Sequence, residues 1–240
     1  MTTKEHYDTH LAYFYEWMAG DFETKHKEQC DFFERNEINP LQNKIAIDLG
    51  SGHGLQSIAL AKLGFEVKAI DFNQQLLNSL RIRGKEFGVQ VFQQDLVSDE
   101  NFKEQTELIV CMGDTIAHLE SADQIHLLLE RSFKCLLNDG KLILSYRDYG
   151  TELTDTQRFI PVKADDNKIL TCFLEYFEDK VSVTDLLHER INGQWVQRVS
   201  SYSKVRVTNQ MIEQIVVDAG FAILKREVIN RMNYLIALKK

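Results

Sequence analysis

The chain has 240 residues, 44 % hydrophobic and 27 % charged, with a formal net charge of −8, and the acidic balance argues against nucleic acid as a partner. That length buries a sizeable core in one domain, and no run of about 18 apolar residues predicts a membrane span. Cys30, Cys111, Cys135 and Cys172 form no C-x-x-C pair and no metal-ligand spacing, and the polar start MTTKEHYDTH holds no apolar signal core, so a cytoplasmic protein with reduced thiols and no metal is expected.

Residues 7 to 35 read as helical and are rich in aromatics; Asn39 and Pro40 end the pattern. Tyr13 and Trp17 are expected on a core-facing stripe. From there strands and helices alternate. KIAIDLG is a buried strand, LQSIALAKLG a helix with Gly64 as C-cap, and FEVKAID the second strand. NQQLLNSLRIRGKEFG is a helix, VQVFQQD the third strand and TELIVCMG the fourth. SADQIHLLLERSFKCLLNDG is a long amphipathic helix, with Leu127, Leu128, Phe133, Leu136 and Leu137 expected in the core. KLILSYRDY is the fifth strand. Such alternation predicts a doubly wound α/β fold, a mostly parallel sheet with helices on both faces. Residues 152–207 then break the pattern with ILTCFLEYFE, KVSVTDLLHERI and QWVQRVSSYSKVRV. Asp179 with Lys180, and Asn192 with Gly193, mark turns, so this is an antiparallel β insertion. The core resumes with NQMIEQIVVDAGF, a helix ending at Gly220, and closes on a hairpin of AILKREVI and NYLIALKK.

The first strand runs into D-x-G-x-G-x-G: Asp48, Gly50, Gly52 and Gly54, with Ser51 between the glycines. A dinucleotide fingerprint needs its third glycine one place later, where Leu55 stands. A P-loop needs Lys and then Ser or Thr after its last glycine, where Leu55 and Gln56 stand. Glycines here let the backbone turn tightly and approach a ligand. Gly54 is expected to serve packing, and His53 to point to solvent without a catalytic role. Asp71 ends the second strand, placed to accept from both ribose hydroxyls. Phe72 and Asn73 would flank an adenosine, with Phe72 against the adenine face. Asp95, followed by Leu96, ends the third strand, placed to accept from an exocyclic amine. Met112 and Gly113 end the fourth, with their backbone beside the ligand. No basic residue lies in the turn, which disfavours a pyrophosphate; adenosine without phosphate points to S-adenosylmethionine.

IDLGSGHG, AIDFN and QQDL, in that order and spacing, resemble the core of a class I S-adenosylmethionine-dependent methyltransferase. VCMGDTIAHL, ILSYRDY, the β insertion and WMAGDFETK are similar to the glycine and sarcosine N-methyltransferases. The resemblance implies a seven-stranded Rossmann-like sheet. Residues 41–151 and 208–240 would form the core, 1–40 a helical lid, and 152–207 a roof over the active site. It implies Lys25 at the methionine carboxylate, where the family has Arg, and Tyr7 and Tyr15 as a lid over the cofactor. It implies that Arg147 grips a substrate carboxylate. Asp114 stands where the family has Asn, which changes the polarity of the acceptor site.

The expected activity is methyl transfer to a small-molecule acceptor, an amine nitrogen that bears or lacks a carboxylate. Asp114, His118 and Tyr146 are the candidates to orient or deprotonate it. The alternatives are an O-methyltransferase of a small metabolite and a non-catalytic S-adenosylmethionine sensor. A monomer or homodimer without nucleic-acid or membrane partners is expected.

Overall fold

The computed structural model describes residues 1–240. A seven-stranded sheet forms the centre, in the order β10-β11-β5-β4-β1-β2-β3. Its strands are β1 (Ile45–Leu49), β2 (Glu66–Asp71), β3 (Gln90–Gln93), β4 (Thr106–Cys111), β5 (Leu136–Tyr146), β10 (Ala222–Ile229) and β11 (Met232–Leu238). β3, β2, β1, β4 and β5 pair in parallel, and β11 runs antiparallel to both neighbours. The order reverses at β1, so a crevice opens beyond the carboxyl ends of β1 and β4.

Alternation decides which helices cover which face. Ala46, Val67, Leu108, Val110 and Ile143 meet Phe32 and Phe33 of α3 (Phe22–Arg35) and Leu60 of α4 (Leu55–Lys62). Ile47, Ile109, Leu142 and Leu144 meet α6 (Ala122–Cys135) and α7 (Asn209–Asp218) on the other face. α5 (Gln74–Arg83) seats Leu77 and Leu80 against Ile58 and Ala69. The buried stripe of α6 is Ile125, Leu128, Leu129, Ser132 and Cys135. Leu127 lies off that stripe and is 37 % exposed, against the core expectation.

β6 (Phe159–Ala164), β7 (Lys168–Tyr176), β8 (Lys180–Ile191) and β9 (Gln194–Val205) form a second, wholly antiparallel sheet. Asn192 and Gly193 both have positive φ, 50° and 80°, as a tight hairpin turn requires. β6 is absent from the sequence reading because Pro161 argues against a strand; it is an edge strand, where a missing N–H is tolerated.

The N-terminal helix is not continuous. α1 (Thr3–His6) passes through a π-helical turn, Tyr7–Leu11, into α2 (Ala12–Ala19), and Gly20, at φ 100°, ends it before Asp21 caps α3. Of the buried residues here, Leu11 and Phe14 pack on Leu170 and Leu187 of the second sheet. Tyr13 is 54 % exposed and donates to Glu189, while Trp17 Nε1 donates to Asp165 at 2.5 Å. Both therefore clasp the second sheet instead of facing the core. No helix is long and apolar enough to cross a membrane.

Candidate functional site

A cavity of about 1150 Å³ opens at the carboxyl ends of β1, β2 and β4, and its walls include the N-terminal residues and the end of β9. The glycine turn forms one wall. Gly50 and Ser51 N–H both donate to Ile70 O, at 2.8 and 3.0 Å, which laces the turn to β2. A Cβ on Gly50 would overlap the Thr115 side chain, and its φ is +78°. A Cβ on Gly54 would overlap Leu80, so Gly54 serves packing.

Asp71 is 7 % exposed and lines the cavity. Its Oδ2 accepts from Gly52 N–H at 2.9 Å and its Oδ1 from Asn73 N–H at 2.8 Å. Burial raises its pKa and these backbone donors oppose the rise. An ionised carboxylate offers about four lone-pair sites, so one on each oxygen remains for a vicinal diol. Ser51 Oγ is buried, lines the cavity and has no partner in the protein. Phe72, Asp95, Leu96, Met112 and Gly113 also line it. Gly113 has φ +77° and donates to Ser145 Oγ at 2.7 Å, with open space where a Cβ would be.

Asp48 and Asn73 stand behind this wall, not on it. Asp48 accepts from Ser57 Oγ at 2.5 Å, and burial pushes its pKa up to about 7 despite that bond. Asn73 caps α5 through Leu76 N–H and donates to Asp8 Oδ1 at 2.8 Å, tying the N-terminal turn to the tip of β2. His53 is buried, not turned to solvent; it packs edge-on against Tyr15 and Phe22, at 5.3 and 5.4 Å between ring centres. Burial, then Arg83, lowers its pKa to about 4.

Tyr7, His118 and Lys204 also line the cavity. His118 meets the edge of Tyr7 at 5.7 Å and stacks on Tyr202 at 5.6 Å. Its Nδ1 is buried without a partner. Burial, then the Lys204 charge, lowers its pKa to about 3, so the ring is neutral.

Four sequence candidates are corrected here. Asp114 is buried, does not line the cavity and already accepts three hydrogen bonds, so it is no general base. Its Oδ1 accepts from Arg147 N–H at 2.9 Å; its Oδ2 accepts from Tyr149 Oη at 2.7 Å and Lys204 Nζ at 2.6 Å. Burial favours its neutral form, but Lys204, His118 and these donors hold its pKa below the ordinary value. Burial opposes the Lys204 ammonium, yet Asp114, Tyr149 and Tyr202 raise its pKa. Tyr146 is buried in the core, with Glu213 and Asp148 nearby, outside the cavity. Arg147 is exposed and outside the cavity; only its backbone N–H supports the site. Lys25 pairs with Glu28 at 2.9 Å on the outer side of α3 and does not reach the cavity.

Lys204 and Thr115 are the residues the sequence reading missed. Thr115 packs over Gly50 and donates to Met112 O at 2.7 Å. Lys204 had one signal: it falls on the alternating positions of β9 that point inward, with Ser200 and Tyr202.

The lining fits an adenosine-bearing ligand: a carboxylate to accept from a diol, an orphaned hydroxyl and an apolar wall, with no cation in the turn. S-adenosylmethionine carries such an adenosine without a phosphate. Residues 46–140 match the family model described as a methyltransferase domain. A ubiquinone biosynthesis O-methyltransferase of Histophilus somni is 30 % identical over 108 residues, 44 % of this chain and 45 % of that protein. A glycine/sarcosine N-methyltransferase of Halorhodospira halochloris is 28 % identical over 137 residues, 54 % and 49 % of the two chains. The chain thus spans about half the length of these relatives. Among solved structures, an S-adenosylmethionine-dependent methyltransferase from Clostridium acetobutylicum superposes with a TM-score of 0.74 at 16 % identity, covering 91 % of this chain and 92 % of that one. An amino pentose methyltransferase of Micromonospora echinaspora, solved with S-adenosylmethionine bound, gives 0.75 at 14 %, covering 93 % and 94 %. Residues 46–140 thus match a methyltransferase domain, and the chain has the fold of these solved S-adenosylmethionine-dependent methyltransferases.

Proposed function

We propose that this chain transfers a methyl group from S-adenosylmethionine to a small-molecule acceptor held in the same cavity. The extent of the cavity carries the reading. It measures about 1150 Å³ and runs from Asp71 and Ser51 past Gly113 to His118 and Lys204. A single ligand site holds roughly 300–1,000 Å³, so a second reactant has room beyond the cofactor end. That space favours an enzyme over a sensor with a blocked acceptor pocket.

When bound, S-adenosylmethionine supplies a methyl group made electrophilic by its sulfonium. The chain's own part is binding, orientation and exclusion of water. Asp71 takes the ribose hydroxyls, Ser51 a further polar group, and Phe72 and Leu96 flank the base. Tyr7 and Tyr15, with ring centres 6.2 Å apart, face the cavity, where aromatic faces attract a cationic centre. Residues 1–40 act as a lid and the second sheet as a roof, which keeps both reactants in place and water out. Asn73 to Asp8, and Arg83 to Glu16 at 2.7 Å, hold that lid to the core.

A carboxylated amine acceptor was expected through Arg147. With that guanidinium outside the cavity, the polar residues that line it beyond the glycine turn include His118, Glu120, Ser121, Gln124 and Lys204. The test is methyl tracing. Purified protein is incubated with S-adenosylmethionine labelled at the methyl group and a protein-free cell extract, and labelled metabolites are sought by mass spectrometry. Label in a small metabolite is expected. No label from a protein shown to bind the cofactor would favour the sensor.

A further inference from the structure

We propose that the free half of β9 is a self-docking edge, along which a second copy of this chain pairs antiparallel, with Gln197 against Gln197.

An open strand edge is a row of unpaired N–H and C=O groups that another strand can join, and folded chains commonly block it. The sheet edges here are β3, β10, β6 and β9. The first three are blocked. β3 spans only Gln90–Gln93. β6 carries Pro161 and a register shift between Pro161 and Lys163, and β10 a register shift between Ile223 and Lys225. β9 has neither device: it pairs with β8 without a shift, from Ile191 and Gln194 to Lys180 and Val205. α1 covers the second half of β9, where Thr3 Oγ1 donates to Ser203 O at 3.4 Å and His6 Nδ1 meets Ser200 Oγ at 2.8 Å. Residues 194–199 are left exposed on both faces, and among them Trp195, Val196 and Val199 are 46, 40 and 56 % exposed.

The backbone sets the register. Positive φ at Asn192 and Gly193 makes a two-residue turn, so Ile191 and Gln194 close it as a hydrogen-bonded pair. Alternation then turns the N–H and C=O of Trp195, Gln197 and Val199 away from β8, toward the open edge. Ser203 O, which Thr3 reaches from outside the sheet, has the same parity. When two such edges pair about Gln197, Trp195 meets Val199 of the second copy, Val199 meets its Trp195, and every outward backbone group of the segment is bonded. Pairing about Val196 instead sets Trp195 against Gln197 and Val199 against the Gly193 turn.

The side chains favour the same register. Ser200, Tyr202 and Lys204 are buried, so the opposite parity, Trp195, Gln197 and Val199, lies on the outer face, where two Trp–Val contacts would flank a Gln pair. On the inner face Arg198 is the one charged side chain of the segment. It falls opposite Val196 of the second copy, in line with the Glu189 that pairs with that Val196. Glu189 is buried, and its Oε2 has no hydrogen-bond partner and lies 4.0 Å from Arg198 of its own chain. The arriving guanidinium starts two strand spacings away, about 9–10 Å, which the two long side chains span, and its charge complements that carboxylate.

The test is the mass of the whole chain by sedimentation as concentration rises. Wild-type protein should pass from one copy to two. Gln197→Pro removes an N–H that no strand of this chain uses, on an edge where proline is tolerated. It should raise the dissociation constant at least tenfold and leave the circular dichroism unchanged. Trp195→Lys keeps the backbone intact and puts a cation on the same edge; it should have the same effect, and it decides the question where Gln197→Pro fails to fold. Gln197→Cys should give a disulfide-linked dimer in mild oxidant, because Cα atoms of a hydrogen-bonded pair lie about 5.5 Å apart, whereas Ser201→Cys on the same face should not. A chain that stays single at every concentration, a folded edge variant whose dissociation constant lies within threefold of wild type, or cross-linking at position 201 instead of 197 overturns the proposal.

Discussion

Removing the Asp71 carboxylate tests the cofactor site at its centre. Each oxygen already accepts one backbone N–H, from Gly52 at 2.9 Å and Asn73 at 2.8 Å, and each has one acceptor site left for a ribose hydroxyl. Hydrogen bonds to a charged acceptor contribute about 1.5–3 kcal/mol apiece. Two lost bonds weaken binding by about 3 kcal/mol at the low end, roughly a hundredfold in Kd. Asp71→Ala also frees two backbone donors in the turn, so loss of affinity alone could report a disordered loop. A second ligand separates the two causes. Titration calorimetry with adenosine and 2′-deoxyadenosine forms a cycle with the variant. Wild-type protein should prefer adenosine, and Asp71→Ala should bind the two alike. A Kd for S-adenosylhomocysteine within threefold of wild type would refute the ribose assignment, as would a preference for adenosine that survives the substitution.

Other outcomes follow from the same geometry. Gly50→Ala places a methyl group on Thr115 at φ +78°, so it should destabilise the fold by about 1–3 kcal/mol and abolish cofactor binding. Thr115→Gly in the same chain should recover part of the stability in a urea titration; no recovery would contradict the steric cause. Lys25→Ala and Arg147→Ala should each leave the Kd for S-adenosylhomocysteine within twofold, because neither side chain lines the cavity; a tenfold loss would return that residue to the site. Asp48 has a folded pKa of about 7 against an ordinary value of 3.8. Its raised pKa adds stability that is complete below pH ~4 and lost as pH climbs through about 7. Asp48→Asn cannot suffer that loss, so its stability relative to wild type should rise by about 4 kcal/mol from pH ~4 to pH ~8. Parallel urea curves at both pH values would show that the buried carboxyl titrates normally.

The parts of this fold that were legible in the sequence are those set by local rules. Strand and helix periods placed β1 to β4, and the need for positive φ placed the glycine turn. Asp71 followed, because a strand-end acid next to that turn has few other positions. The acceptor wall was not legible, since it depends on pairing between distant strands. Lys204 meets Asp114 across 90 positions of sequence, and no local pattern announces that partner. Arg147 misled for a related reason. Its neighbour Tyr146 is 2 % exposed in the core, while the backbone N–H of Arg147 is taken by Asp114, and the guanidinium is left outside. Tyr13 and Trp17 were assigned to the wrong partner because they clasp the second sheet, and helical spacing does not say which layer a stripe will meet.

The Asp114–Lys204 pair is difficult to explain as a stability device. Taking both charges out of water costs about as much as their attraction returns, and apolar residues of similar volume often hold such a contact as well or better. Val181, Val183, Tyr202 and Val205 of the second sheet already bury apolar surface against the core at this junction. The pair does something those residues cannot. It fixes the end of β9 to the loop after β4 by a directional bond, and so sets where the roof meets the floor of the cavity. It also leaves a cation, not a carboxylate, on the cavity wall. Asp114, in the loop after β4, and Lys204, on β9, therefore act as one buried charged unit that joins the two layers.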